Sequence, residues 1–306
     1  MKLIRLHPPL MIASLAMLAV LAFTLVGLVV DDRTSLGVPI WLKPMKFAIS
    51  IAIYTATLAW LISLLDRGRR VAYWLGTVAA IAMFIEIAII GGQAARGVRS
   101  HFNNSTELDG RLFQIMGLTI TIAWFVTLWV GVLLLIQRIA DRPTSLAVRF
   151  GVFIALAGMA VGFIMVTPTR SQLASSSDYQ GAHAVGIEDG GPGLPVVNWS
   201  TEAGDLRAGH FVGMHALQAL PLLALLLALG SRRFARLRDE TTRVRLIAVA
   251  GVTYAGLVVL VTSQALRGQS IVHPDALTLA AFTLLAMVAL VGAAWALRPR
   301  RTGVVA

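Results

Sequence analysis

Imidazoles and carboxylates bind metals and move protons near neutral pH, and guanidinium groups bind the anions beside them. Two imidazoles of this sequence, His210 and His215, lie in "NWSTEAGDLRAGHFVGMHALQALP", where a polar stretch turns into an apolar helix. They are five residues apart, about 140° around a helix, so they cannot chelate one ion as an i,i+4 pair would. Each can still join a site shared with other helices. His101, in "GVRSHFNNSTELDG", is the third candidate. With no cysteine in the chain, disulfides, thiolate zinc sites and iron–sulfur clusters are excluded. Any metal site must combine His with Asp or Glu, and a haem would need two histidines from different helices. His101, His210 and His215 are therefore the candidate metal or haem ligands.

Glu86 is the one acidic residue deep inside an apolar run, "AMFIEIAIIGG". A charge there is costly and normally faces a bundle interior or a cavity. At helical spacing Glu86, Ile90, Gln93 and Gly97 share a face, with Arg96 beside it and His101 above. Asp205 is the expected N-cap of the helix that carries His210. Glu86, Arg96, His101, Asp205, His210 and His215 form the candidate catalytic set. Around them stand candidate substrate-binding residues: Lys43 and Lys46 from "WLKPMKF", Gln93, and Asn103. Asn198, Trp199 and Arg207 from "NWSTEAGDLR", with Gln264 and Arg267 from "TSQALRGQS", complete that set. His183 and His273 read as ordinary loop histidines. The run 112–136 reads as plain packing.

The elements that must position these residues follow from composition. The 306 residues are 57% hydrophobic and 13% charged, with a mean hydropathy of +0.79. A soluble domain averages about 45–50% apolar and roughly 25% charged. Apolar runs near 10–30, 45–65, 71–91, 112–136, 146–167, 209–229, 246–265 and 276–297 are each long enough for a hydrocarbon core of ~30 Å. Lipid-facing backbone must satisfy its own hydrogen bonds, so the runs predict helices. The first is longer than a signal-peptide core and is expected to span. The fold class is an all-α polytopic bundle of about eight helices in one membrane domain, with a long ordered loop, 168–208, between the fifth and sixth.

Charge gives the orientation. Segments 1–9, 66–70, 137–145 with Arg149, 230–245 and 298–306 hold 17 Lys/Arg against 4 Asp/Glu. Segments 31–44 with Lys46, 92–111, 168–208 and 266–275 hold 9 against 10. The first set is expected to be cytoplasmic, with both termini, and the second extracytoplasmic. The net charge of +11 is then mostly an orientation signal, and no nucleic-acid partner is implied; the bilayer is the partner. Five of the six histidines, all but His7, fall on the second face.

The stretches "WLKPMKFAIS", "QAARGVRSHFN", "GPGLPVVNWSTEAGDLR" and "HFVGMHALQALP" resemble a group of uncharacterised multi-pass membrane proteins of high-GC bacteria. The resemblance covers nearly the whole chain and implies a bacterial cytoplasmic membrane, but no activity. Three functions stay open. One is a membrane enzyme or redox protein with a His/Arg/Glu site at the extracytoplasmic boundary, holding a metal, a haem or a small-molecule or lipid ligand. Another is a solute transporter or channel using Glu86 and the outer polar residues. The third is a non-catalytic sensor or assembly partner.

Overall fold

The computed structural model describes residues 6–137, 139, 141–175 and 177–298; the basic residues Lys2, Arg5, Arg138, Arg300 and Arg301 lie outside this set. Nine α-helices occur among the described residues: α1 (Pro8–Val30), α2 (Leu42–Ser63), α3 (Arg69–Ala95), α4 (Glu107–Leu135), α5 (Arg142–Met165), α6 (Arg170–Ser175), α7 (Leu206–Gly230), α8 (Glu240–Leu266) and α9 (Ala276–Ala296). All but the six-residue α6 are long and apolar enough to cross a membrane. Their outward side chains are large and apolar, among them Phe125 and Trp129 of α4 and Leu225 and Leu226 of α7. Such a surface suits a lipid bilayer.

Helix starts follow local chemistry. Thr106 accepts from the N–H of Asp109, Asp205 from that of Arg207, Asp239 from those of Thr241 and Thr242, and Asp275 from that of Thr278. Each side chain satisfies an amide that the first helical turn leaves unpaired. The third helix ends at Ala95, so the expected face stops at Gln93, and Gly97 lies beyond it at φ +73°. Pro221 does not interrupt α7, which runs through it.

Two packing groups share the interior. One is built from α1 to α4, with Leu10, Leu58, Ala79 and Val130 at its centre and α5 on its flank. The other joins α5, α7 and α8 around Ala147, Ala216, Leu220 and Ile247. Helices α5 and α7 approach most closely at glycines. A Cβ on Gly158 would meet the Cα of Gly213 at 2.5 Å. Small residues let backbones meet in a membrane, where burial of apolar surface supplies little drive.

One end of the bundle gathers the α2, α4, α7 and α9 starts with the α3, α5 and α8 ends. There the segment 166–205 is folded rather than loose. It contains α6, the strand Ala184–Val185 paired with Gly204–Asp205, and isolated bridges Asn103–Tyr179 and Gly193–Ser200. Its backbone is tied to α5 by Ala182 N–H to Met165 C=O, 2.9 Å, and to the α3–α4 turn by Gln180 N–H to Phe102 C=O, 2.9 Å. At the opposite end Gln137 joins the α2–α3 turn, accepting from the N–H groups of Asp66 and Arg67.

Candidate functional site

Beneath that folded segment sits a buried carboxylate. Glu86 of α3 is 1% exposed. Its Oε2 accepts from Thr119 Oγ1 of α4 at 3.0 Å. Its Oε1 is buried with no hydrogen-bond partner among the described residues, and His101 Nε2 lies 4.0 Å from it. Sequence reading took α4 for plain packing; instead Thr119 and Asp109 on its buried side hold α3 residues.

His101 is presented by the α3–α4 turn. Its Nδ1 is 3.1 Å from Ser100 Oγ, which leaves Nε2 toward Glu86. Phe47 of α2, Phe113 of α4 and Phe102 surround the ring. Phe102 adopts φ 63°, the left-handed region that bulky residues avoid. Such strain persists only where the surroundings fix it. It inserts the Phe102 ring between His101 and His183, 4.8 Å from the latter. Burial, with the nearby charges of Lys43, His183 and His210, holds the His101 imidazole well below its usual range. At neutral pH the ring is uncharged, able to give or take a proton.

His183 comes from the folded loop. Its Nδ1 is 2.6 Å from Asp189 Oδ2, while Asp189 Oδ1 accepts from the backbone of His183 and Ala184. Burial lowers His183, and the Asp189 bond only partly offsets it. Burial pushes the Asp189 carboxyl up, but the His183 bond and charge and the two amides together hold it well below the usual carboxylate range. A carboxylate orienting an imidazole is the arrangement used in triads and beside metals. Sequence reading set His183 aside and did not single out Asp189.

Cations complete the cluster. Lys43, Lys46 and Arg207 lie close enough to act on one another's charge, with Glu86, Asp189 and Asp205 as counter-charges. Lys46 Nζ donates to Val197 C=O at 3.0 Å, tying α2 to the loop. Lys43 makes no hydrogen bond or ion pair among the described residues. Arg207 is held by Asp205 through Nε–Oδ1, 2.9 Å, and Nη2–Oδ2, 2.6 Å, and also donates to Asn198 C=O. Asp205 further accepts from Ser200 N–H at 2.8 Å, so its oxygens cap α7 and clamp the loop.

The remaining sequence candidates divide. His210 joins the cluster: it acts electrostatically on His101, and its Nδ1 is 2.8 Å from Gly158 C=O. His215 acts on the charge of His210 but makes no contact with the cluster among the described residues. Its Nδ1 is 3.2 Å from Gln218 Oε1, Gln218 donates to Thr57, and Phe211 packs edge-on at 4.4 Å. Arg96 bonds Asp109 Oδ1 at 2.6 Å and also Gln93, which donates to the same oxygen at 2.8 Å. That network pins α3 to α4, and its bonds involve neither Glu86 nor His101. Asn103 folds the α3–α4 turn through Ser105 and Arg99 C=O. Asn198 sits at φ 55°, and Trp199 packs on Phe211 at 5.9 Å. Gln264 donates to Ser270 C=O, and Arg267 bonds Thr278 and Asp275, both within the α8–α9 connection. Among the described residues no three His, Asp or Glu side chains are placed to hold one metal ion.

No family model, curated protein or solved structure matches this chain.

Proposed function

We propose that this multi-pass membrane protein is an enzyme performing acid–base chemistry on an anionic, headgroup-sized substrate at the end of the bundle covered by 166–205. Glu86 and His101 form the proton-handling pair. Lys43, Lys46 and Arg207 supply positive charge for the substrate. The observation that carries the reading is the Glu86 oxygen left without a donor, 4.0 Å from His101 Nε2. A carboxylate and a neutral imidazole at that separation can relay a proton through a substrate atom or a water. Keeping a buried acceptor unsatisfied costs about 1–3 kcal/mol, which fold stability alone does not explain.

The excess of Lys/Arg on the opposite end supports a cytoplasmic placement for that end and both termini, which puts the site on the outer side of a bacterial cytoplasmic membrane. His183 with Asp189, and His210, flank the pair. A metal ion on His101 and His210 is the form of the reading with less support, because among the described residues no third donor converges with them. A conduction path has less support too: between Glu86 and the basic end the buried residues of α3 are Ala72, Gly76, Ala79, Ala80, Ala82 and Met83.

The test compares membrane extracts from cells expressing the wild type, Glu86→Gln or His101→Ala. A lipid or anionic metabolite that is converted only with the wild type supports the proposal. Identical profiles for all three, at equal expression, overturn it.

A further inference from the structure

The end opposite the candidate site carries a second chemistry. Between α7 and the first turns of α8 stand six arginines, Arg232, Arg233, Arg236, Arg238, Arg243 and Arg245, with two carboxylates, Asp239 and Glu240. Both carboxylates are engaged, Asp239 as the α8 cap and Glu240 as acceptor from Arg142 N–H. Positive charge is therefore in surplus.

Directly along the helix from it runs an apolar groove of about 400 Å³, lined by Leu223 and Leu227 of α7, Leu246, Ala250 and Tyr254 of α8, and Ala293 of α9. Tyr254 presents its ring, since its hydroxyl donates to Val212 C=O at 2.8 Å. On α8 the stripe Leu246, Ala250, Tyr254 starts one turn from Arg243. The Nε of Arg243 is buried and has no hydrogen-bond partner among the described residues. Two more guanidinium groups reach the same end of α9: Arg245 lies 4.8 Å over the Trp295 ring, and Arg236 donates to Leu297 C=O at 3.0 Å.

We propose that this groove is a binding site for one anionic phospholipid. An acyl chain lies between α7, α8 and α9, and the phosphate meets Arg243 and its arginine neighbours. An apolar slot alone would take any lipid tail; the uncompensated guanidinium groups at its mouth select an anionic headgroup. The site is separate from the loop-end cluster and does not depend on the function proposed for that cluster.

The test uses the detergent-purified full chain, offered equal amounts of phosphatidylglycerol and phosphatidylcholine with identical tails, and counts retained lipid by native mass spectrometry. The wild type is expected to retain one phosphatidylglycerol in preference, by about thirtyfold for two arginines at the membrane surface. Arg243→Gln with Arg245→Gln should abolish the preference, and Ala250→Phe, which fills the slot, should abolish retention. Glycerol 3-phosphate should not displace the lipid. Equal retention of the two lipids by the wild type overturns the proposal without recourse to any variant. So does displacement by glycerol 3-phosphate, which would mark an anion site with no use for the groove.

Discussion

Glu86 Oε1 and His101 Nε2 stand 4.0 Å apart in a buried setting, too far for a hydrogen bond and near enough for a change of charge on either to act on the other. The carboxylate's second oxygen is fixed by Thr119 Oγ1. One oxygen is held and one is left open, facing an imidazole.

Replacing Glu86 by Gln keeps an oxygen for Thr119 and removes the charge. Glu86→Gln should therefore melt no lower than the wild type in detergent. Thr119→Val, which strands the carboxylate, should cost about 1–3 kcal/mol. Thermal and denaturant unfolding in micelles read both; a Glu86→Gln protein less stable than Thr119→Val would contradict the assignment.

Acid should loosen the covered end. Burial lowers His101 and His183 in the fold, whereas unfolded histidine titrates near ~6.5. The unfolded chain then binds more protons at these two sites between the folded and unfolded values, so their contribution to stability falls as pH drops below ~6.5 toward the folded values and is flat above it. Unfolding midpoints between pH 5 and 8 should show this slope, and His183→Gln should reduce it. A stability difference between wild type and His183→Gln that does not change with pH would exclude a neutral, buried His183.

Gly158 is the contact of α5 with α7 and also supplies the carbonyl for His210. Gly158→Leu forces the backbones apart and should destabilise by about 1–3 kcal/mol or more. Gly117→Ala, with nothing within 4 Å of an added Cβ, should be neutral or gain up to ~1 kcal/mol. Equal effects at the two positions would mean that α5 and α7 do not meet there.

Lys46 ties the loop to α2 through Val197 C=O. Lys46→Met removes one charge-assisted bond, worth roughly 1.5–3 kcal/mol at most, from the closure. Limited proteolysis within 186–198 should speed up several-fold while the helices stay protected. An unchanged cleavage rate would show that this contact does not hold the loop.

Much of this architecture was legible in the sequence. Apolar runs of span length located all eight membrane-length helices, because in lipid no other backbone arrangement satisfies its own hydrogen bonds. Asp205 was legible as a cap, and Glu86 as a buried charge. The meeting of Glu86 with His101 was legible only as a shared direction: fifteen residues separate them, across a helix end and a turn whose Phe102 has a backbone conformation that no pattern announces. Thr119 carried no signal, since a membrane threonine usually bonds its own helix, as Thr119 also does to Met116 C=O. The His183–Asp189 pair depends on how 166–205 folds, where periodicity is silent. His215 looked equivalent to His210 by type, yet their angular separation sends it to Gln218 and Phe211.

A double-mutant cycle on Glu86 and His101 tests the central pairing most directly. Unfolding free energies of wild type, Glu86→Gln, His101→Gln and the double variant would be compared at pH 7 and at pH 5. Direct interaction predicts a coupling energy of about 0.5–3 kcal/mol at one or both pH values. Additivity within ~0.5 kcal/mol at both pH values would contradict it, leaving a buried carboxylate and an imidazole that share one end of the bundle but no chemistry.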